Sequence, residues 1–426
     1  MKKSLIYLCF LLGAGPVAAQ QGVLTVQEYK QRVLDYSQQI KQSAEQRNAL
    51  QQAIRIAKSS QLPQLDFSGS VQYRINDYDL DMMGAKLSMA HETYSLEAGV
   101  TQSVYQGGMI RNSIKAAEIQ HEIAQKAEEL TVENVLYAAD VNYWATTAKK
   151  DLYLVVSEYV RIIEQLEGVV KERFNDGLIS KTDMLQVQSR LKDAELQKSE
   201  ASKAYQIALQ NLNVLMGSDP MAPIDVVDSI SIHTEAPTLM SLDEALVRRP
   251  DFHIADLGVS YQDRQISLAR SKFNPNLAVG LKESWGTTML NFDGSTMFNT
   301  NAFASLNVPI FHGGGRRKNV AYQQALLRSK EYDRQITRDQ ISQELSNAWT
   351  NLTENTRQIG VAEEACTIAV ENLELNTFSY NEGKLPIIDV LTAQVTWIQA
   401  YSGLIQTWLQ QKISLADYLK ATSTLQ

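Results

Sequence analysis

The sequence is short of the residues that build metal and redox sites. It holds two cysteines in 426 residues. Cys9 falls in an N-terminal apolar segment, which leaves Cys366 alone in the remainder. An intrachain disulfide or a cysteine-based zinc site is therefore excluded there. The histidines (His91, His121, His233, His253, His312) show no HxxxH or HxH spacing, so no metal site is expected. Nine prolines and 21 glycines are few for this length, and favour long helices over a sandwich of many turns. Positive charge is also in short supply. Lys plus Arg is 40 against 48 Asp plus Glu, a net charge of −8, which argues against a general nucleic-acid binder. Beyond the N-terminus there is no uninterrupted apolar run of ~18 residues, so no transmembrane helix is expected. Catalytic constellations are missing too. His312-Gly-Gly-Gly315 superficially resembles an esterase oxyanion loop, but no G-x-S-x-G accompanies it. Arg316-Arg317 follows where a P-loop needs Lys-Ser/Thr. No catalytic residue and no cofactor is predicted.

What is present points to export. Residues 1–19 read as a secretory signal: Lys2 and Lys3, an apolar core over Leu5–Leu12, and small residues at Val17, Ala18 and Ala19. With 44% apolar and 21% charged residues, the chain is no disordered polar tract. An exported chain without a transmembrane helix leaves the periplasm, the exterior, or an outer membrane crossed by β-strands.

Self-comparison exposes a tandem duplication. Ile56-Ala-Lys-Ser-Ser-Gln-Leu-Pro-Gln-Leu65 matches Leu268-Ala-Arg-Ser-Lys-Phe-Asn-Pro-Asn-Leu277. Tyr105-Gln-Gly-Gly108 matches Phe311-His-Gly-Gly314, and Phe174-Asn-Asp-Gly177 matches Tyr380-Asn-Glu-Gly383. The matches run in one order and define repeats over 20–218 and 240–426, joined by a proline-containing linker at 219–239. In each repeat a helical segment ends at Pro63 or Pro275. Two alternating segments follow, and a glycine pair, Gly107-Gly108 or Gly313-Gly314, turns strand into helix.

Leu65, Phe67, Val71, Tyr73 and Ile75 alternate with Asp66, Ser68, Ser70, Gln72 and Arg74. The segments near Tyr94–Val104, Leu277–Leu281 and Thr300–Val308 alternate likewise. Strands of about 10 residues suit an outer membrane. A soluble antiparallel sheet with one wet face explains the alternation equally well. The polar face, carrying Asp66, Arg74 and Glu97, tips the reading toward a water-filled lumen. Four strands cannot close a membrane barrel, and an open edge in lipid leaves backbone groups unpaired. A membrane-spanning form must then be a homo-oligomer.

Proline-free helical segments run from about Gly108 to Phe174 and from about Gly315 to Tyr380. Each is followed by a returning helix, Thr182–Met216 or Ile387–Leu419. Helices this long pack as coiled coils, with Ile179, Met184, Leu185, Leu191 and Leu196 as candidate seam residues. Asp183 and its repeat mate Asp389 lie just past the two helix reversals. Either they cap helices, or they line the far end of a tube, where an acidic ring selects cations. Trp285, Tyr73 and Tyr78 are candidates for a membrane interface. Trp144, Trp349, Trp397 and Trp408 read as helix-packing residues, and Arg316, Arg317 and Lys318 as a solvated helix end.

These residues together resemble the TolC family of outer-membrane efflux and secretion channels. The motifs are Ser241-Leu-Asp-Glu-Ala-Leu246 with Arg249-Pro-Asp251, Ala269-Arg-Ser-x-Phe-x-Pro-x-Leu277, Pro309-Ile-Phe-His-Gly-Gly-Gly-Arg316, and Tyr380-x-x-Gly383 with Ile388-Asp-Val-Leu391. The resemblance implies a mixed α and β fold: a homotrimer whose chains pool four strands each into a transmembrane β-barrel, continued by a helical coiled-coil barrel in the periplasm. It implies a passive exit duct for a tripartite efflux pump or a type I secretion system. Its partners would be outer-membrane lipid, a periplasmic adaptor (membrane fusion) protein, and an inner-membrane pump, proton-driven or ABC. It further implies that Asp389 is a lumen carboxylate of the constriction, and that Tyr380 latches the closed tip against Thr182 and Asp183. Thr392 stands where some members carry a second acid, and Leu385 where a basic latch residue is found. A soluble periplasmic coiled-coil adaptor is the competing expectation.

Overall fold

The computed structural model describes residues 22–76, 79–82, 85–88, 91–231, 237–287 and 295–425. The expected signal peptide, Tyr78 and His233 lie outside the described residues. In chain order the elements are β1 (Gly22–Leu24), α1 (Val26–Tyr36), α2 (Gln38–Ser59), β2 (Gln64–Tyr73), β3 (Asp79–Met82), β4 (Ala85–Ser88), β5 (Glu92–Gln106), α3 (Met109–Asn175) and α4 (Lys181–Leu215). Then come β6 (Ile224–Val226), α5 (Leu242–Arg248), α6 (Pro250–Ser271), β7 (Asn276–Thr287), β8 (Thr296–Asn307), α7 (Gly315–Asn381) and α8 (Ile387–Ala421). The two long helices have 67 residues each, and the two returning helices 35 each. At 1.5 Å per residue the long ones span roughly 100 Å.

By internal contacts the chain forms two compact units. One comprises Lys41–Thr131 and Leu246–Ser342. It holds a four-stranded antiparallel sheet in the order β2-β5-β7-β8. Leu65 lies opposite Val100, and Leu277 opposite Leu306, so both hairpins use the same register in repeat terms. The pleat gathers Leu65, Phe67 and Val71, Leu96 and Val100, Leu277 and Leu281, and Ala302 and Leu306 on one face. Ser68, Ser70, Glu97, Lys282, Asn299 and Asn301 share the other. There Lys282 and Glu97 pair at 2.7 Å. The first alternation predicts a strand reaching Ile75. β2 stops at Tyr73, although the Arg74 amide still donates to the His91 carbonyl at 2.7 Å. The β3–β4 ribbon, which the sequence reading did not foresee, completes this region.

Helices in this unit are joined by polar ties. Gln120 donates to Tyr261 at 2.9 Å, and Gln262 to the Gln323 side chain at 2.7 Å. Arg47 pairs with Glu128 at 3.0 Å. Such amide and ion contacts suit helices with wet flanks better than a dry globular core.

The other unit comprises the described residues that fall within Met1–Ile40, Val132–Ala245 and Gln343–Gln426. Its largest core runs between α3, α4, α7 and α8 and includes Tyr159, Ile163, Val170, Val187, Ala194 and Val390. On α4 the buried apolar residues are Val187, Leu191, Ala194, Ala201, Ala208 and Leu212. Val187, Ala194, Ala201 and Ala208 recur at heptad spacing. Leu185 and Leu196, read from the sequence as seam residues, are instead 51% and 61% exposed. The seam is built on alanines because a small side chain lets helices approach closely.

A second core ties β1, α1, α3 and the parallel β1–β6 pair together around Tyr29, Val33, Ala139 and Tyr143. Lys150 bonds both Asp225 (2.8 Å) and the Val226 carbonyl (2.6 Å). Asp228 accepts from the Val26 amide at 2.9 Å and lies 2.6 Å from the Tyr143 hydroxyl. These contacts fasten the inter-repeat linker to the long helix.

Candidate functional site

The far ends of the long helices form the candidate site. Both end in the same way. Gly177 and Gly383 adopt φ of 73° and 72°, a left-handed conformation that suits glycine. The Leu178 amide reaches back to Arg173 O, and Lys384 to Ser379 O, each at 2.9 Å. The next helices start differently. Ser180 caps α4, with its hydroxyl and amide bonded to the Asp183 carboxylate at 2.9 and 3.2 Å. Pro386 precedes α8 and has no side chain that can cap. Asp183 is therefore engaged in a capping box, whereas Asp389, half-buried in the first turn of α8, makes no side-chain hydrogen bond among the described residues. Thr182 is exposed. Thr392 spends its hydroxyl on the Ile388 carbonyl at 2.8 Å.

Tyr380 is buried, and its hydroxyl has no hydrogen-bond partner among the described residues. Burial pushes its phenol up, Arg173 pulls against that shift, and the Asp183 charge adds to it. The sequence reading missed Arg173. Its guanidinium lies 4.7 Å from the Tyr380 ring centroid. It also donates to Tyr380 O at 3.0 Å and Asn381 O at 2.6 Å. One cation from the last turn of α3 thus bonds two carbonyls at the end of α7, of which Tyr380 O also accepts from the Gly383 amide at 2.9 Å. A basic residue in a helix's last turn was the available signal. Lys384, beside the position where a latch base was looked for, stands 6.0 Å from the Phe378 ring instead.

The glycine turns lie at the other end of the long helices. Gly107 and Gly108 have φ of 61° and 89°, Gly313 and Gly314 φ of 60° and 78°. Pro63 and Pro275 stand immediately before β2 and β7. On the apolar sheet face, Trp285 lies between Tyr94 and Phe298, with ring centroids 5.7 and 6.3 Å away. Tyr73 stacks on His91 at 5.8 Å. The helix tryptophans pack as expected: Trp397 on Tyr159 and Tyr401, Trp349 on Tyr418, Trp144 on Tyr143. Trp408 joins the smaller core around Ala148, Ile230 and Ile405. No helix among the described residues is long and apolar enough to cross a membrane, and no metal-ligand cluster occurs among them.

A sheet apolar on one face and polar on the other, in a chain with two 67-residue helices, is the architecture of an outer-membrane channel subunit. The chain belongs to the outer membrane efflux protein family, whose profile matches residues 30–218 and 241–422. It is 23% identical to the outer membrane protein TolC of Escherichia coli, over 100% of this chain and 87% of that protein. The outer membrane channel CmeC of Campylobacter jejuni superposes with a TM-score of 0.78 at 17% identity, over 94% of this chain and 85% of that one. The open state of the Neisseria gonorrhoeae MtrE outer membrane channel also gives 0.78, at 16% identity, over 94% of this chain and 89% of that one. The protein is thus an outer-membrane exit duct of efflux or secretion systems, with a periplasmic helical tube. The soluble-adaptor expectation is set aside. Membership also implies trimeric assembly and partnership with an adaptor and an inner-membrane pump.

Proposed function

We propose that the chain is a homotrimer subunit that conducts cargo passively, from a periplasmic adaptor and an inner-membrane pump to the exterior. In this reading 20–218 and 240–426 act as two equivalent channel repeats, and 219–239 forms part of a belt. Each chain contributes four strands to one barrel. The protein catalyses no reaction of its own, a reading supported by the matched relatives being channels.

The observation that carries the proposal is the amphipathic sheet with two open edges, β2 and β8. Lipid cannot pair those edges, whereas further copies can. Supporting it, α7 exposes Val361, Ile368 and Leu375 at heptad spacing, an apolar stripe that the chain does not cover. At the tip, Asp389 would line the lumen and favour cations, since no capping box engages its carboxylate. Tyr380 would latch the closed tip against Thr182 and Asp183 of an adjoining coil. Its buried, unpartnered hydroxyl supports that role.

Carbonate extraction followed by mass measurement in detergent tests the reading. The protein should stay in the membrane pellet and, once solubilised, run as three chains. Release into the aqueous wash as a detergent-free monomer would refute it.

A further inference from the structure

Charge is segregated along the chain. The net charge is −8, yet four segments hold no aspartate or glutamate: 46–65, 98–117, 264–282 and 294–330. Each spans a junction between sheet and helix: α2 into β2, β5 into α3, α6 into β7, and β8 into α7. The helix ends at these junctions are basic instead. Lys58 ends α2, and Arg111 opens α3. Arg270 and Lys272 close α6, and Arg316, Arg317 and Lys318 open α7. All of these cations are exposed. Lys58 lies 3.8 Å from Glu118, and the others form no ion pair among the described residues.

Helix stability does not call for this pattern. The N-terminus of a helix carries partial positive charge and disfavours cations. α1, α4, α5, α6 and α8 follow that rule with an acid in the first turn. α2, α3 and α7 have none there. At that place α3 carries Arg111, and α7 carries Arg316, Arg317 and Lys318.

Exposed apolar side chains stand on the sheet side of the same junctions. Leu62 is 63% exposed, Tyr105 51%, Ile310 92% and Phe311 83%. Tyr105 lies opposite Leu277, on the apolar face. From Leu277 to Trp285 that face runs roughly 26 Å along the strand, near the ~25 Å apolar band of an outer-membrane barrel. Trp285 marks the far end of the band. The cations stand beyond its helix end, where hydrocarbon gives way to headgroups. A cavity of about 230 Å³ at the start of α7, with Phe273, Phe311 and Arg316 in its lining, sets an apolar wall beside a cation.

We infer that the sheet-proximal ends of α2, α3, α6 and α7 form a basic collar that holds anionic phospholipid headgroups of the periplasmic leaflet. Charge and place select this occupant. A headgroup phosphate meets cations that no carboxylate of the chain engages, and the acyl chains continue over the exposed apolar residues. Arginine suits the task, because its planar fork matches phosphate oxygens. The collar goes beyond the duct function and does not depend on the number of copies.

Native mass spectrometry tests it, on the full-length protein solubilised from vesicles of equal parts phosphatidylglycerol and phosphatidylcholine with matched acyl chains. The protein should retain phosphatidylglycerol over phosphatidylcholine by about tenfold, and by less as salt rises. Arg316→Gln, Arg317→Gln and Lys318→Gln together should lower that ratio at least ~threefold. Arg316→Lys with Arg317→Lys should keep most of it. Lys192→Gln, Lys198→Gln and Lys203→Gln on α4 should leave it unchanged. Equal retention of the two lipids by the unsubstituted protein would overturn the inference without any variant. An unaltered ratio in the α7 variant would overturn it too. So would an equal fall in the α4 variant, which would mark net charge alone. Displacement of phosphatidylglycerol by inorganic phosphate, beyond that by chloride at equal ionic strength, would mark a free-anion site and also overturn it.

Discussion

Arg173 concentrates three interactions on the end of α7: two hydrogen bonds to backbone carbonyls and a contact with the Tyr380 ring. Hydrogen bonds from a charged donor contribute about 1.5–3 kcal/mol each, and about 1.4 kcal/mol is tenfold in an equilibrium. Arg173→Ala should therefore raise basal channel leak by about tenfold or more. Arg173→Lys should fall between, since an ammonium lacks the planar fork. Leak equal to that of the unsubstituted channel would remove Arg173 from the gate. A second expectation at this scale concerns alkaline pH. Tyr137 is pushed up to about 12 by burial and then by Asp417, to which its hydroxyl donates at 2.7 Å. Tyr29, Tyr143 and Tyr205 are raised further, chiefly by burial. The unfolded chain loses these protons near pH 10, so the folded chain binds more protons above that value. Their contribution is complete below pH 10 and lost as pH rises through the folded values. Burial lowers Lys412, which acts in the opposite sense below its usual 10.5. Denaturant midpoints should fall above pH 10, and Tyr137→Phe should flatten that fall. A midpoint independent of pH between 10 and 12 would contradict the assignment.

At the scale of elements, the long helices, the four strands and the turns between them were legible. Their signals are long-range: absence of proline, strict alternation, and glycines at both reversals. The coiled-coil seam was legible only in part. Leu185 and Leu196 looked like seam residues on hydrophobicity, yet both face outward. Ala194 and Ala201, buried on α4, carry little hydrophobic signal of their own. The same limit hid Arg173, whose target is backbone carbonyl rather than a recognisable partner side chain. Asp183 and Asp389 were legible as repeat mates, but not the difference between them. Ser180 ahead of one helix and Pro386 ahead of the other decide whether the carboxylate enters a capping box. The alanine seam makes a test of its own. Ala194→Leu adds three carbons where no space is left, at a cost of about 1–3 kcal/mol. Leu196→Ala on the exposed face should cost less than Ala194→Leu in a chemical-denaturation series on the solubilised protein. The reverse order would show that the seam lies elsewhere.

For the whole molecule, duplication links sequence to assembly. One repeat supplies a hairpin and a helical pair. The second repeats both, with the same hairpin register and helices of equal length. Two repeats still leave β2 and β8 with open edges. Such edges in a membrane call for further copies, and the helices then surround a common lumen in the proposed trimer. The proposed gate, with Asp389 in its constriction, is where this account meets function most directly. Single-channel recording in planar bilayers, on the unsubstituted protein and on Asp389→Ala, tests it. The account expects a small, stable, cation-selective current whose selectivity weakens with the substitution. A current that is unselective and unaltered by Asp389→Ala, or folded protein that never forms a conducting unit even after Arg173→Ala, would contradict it.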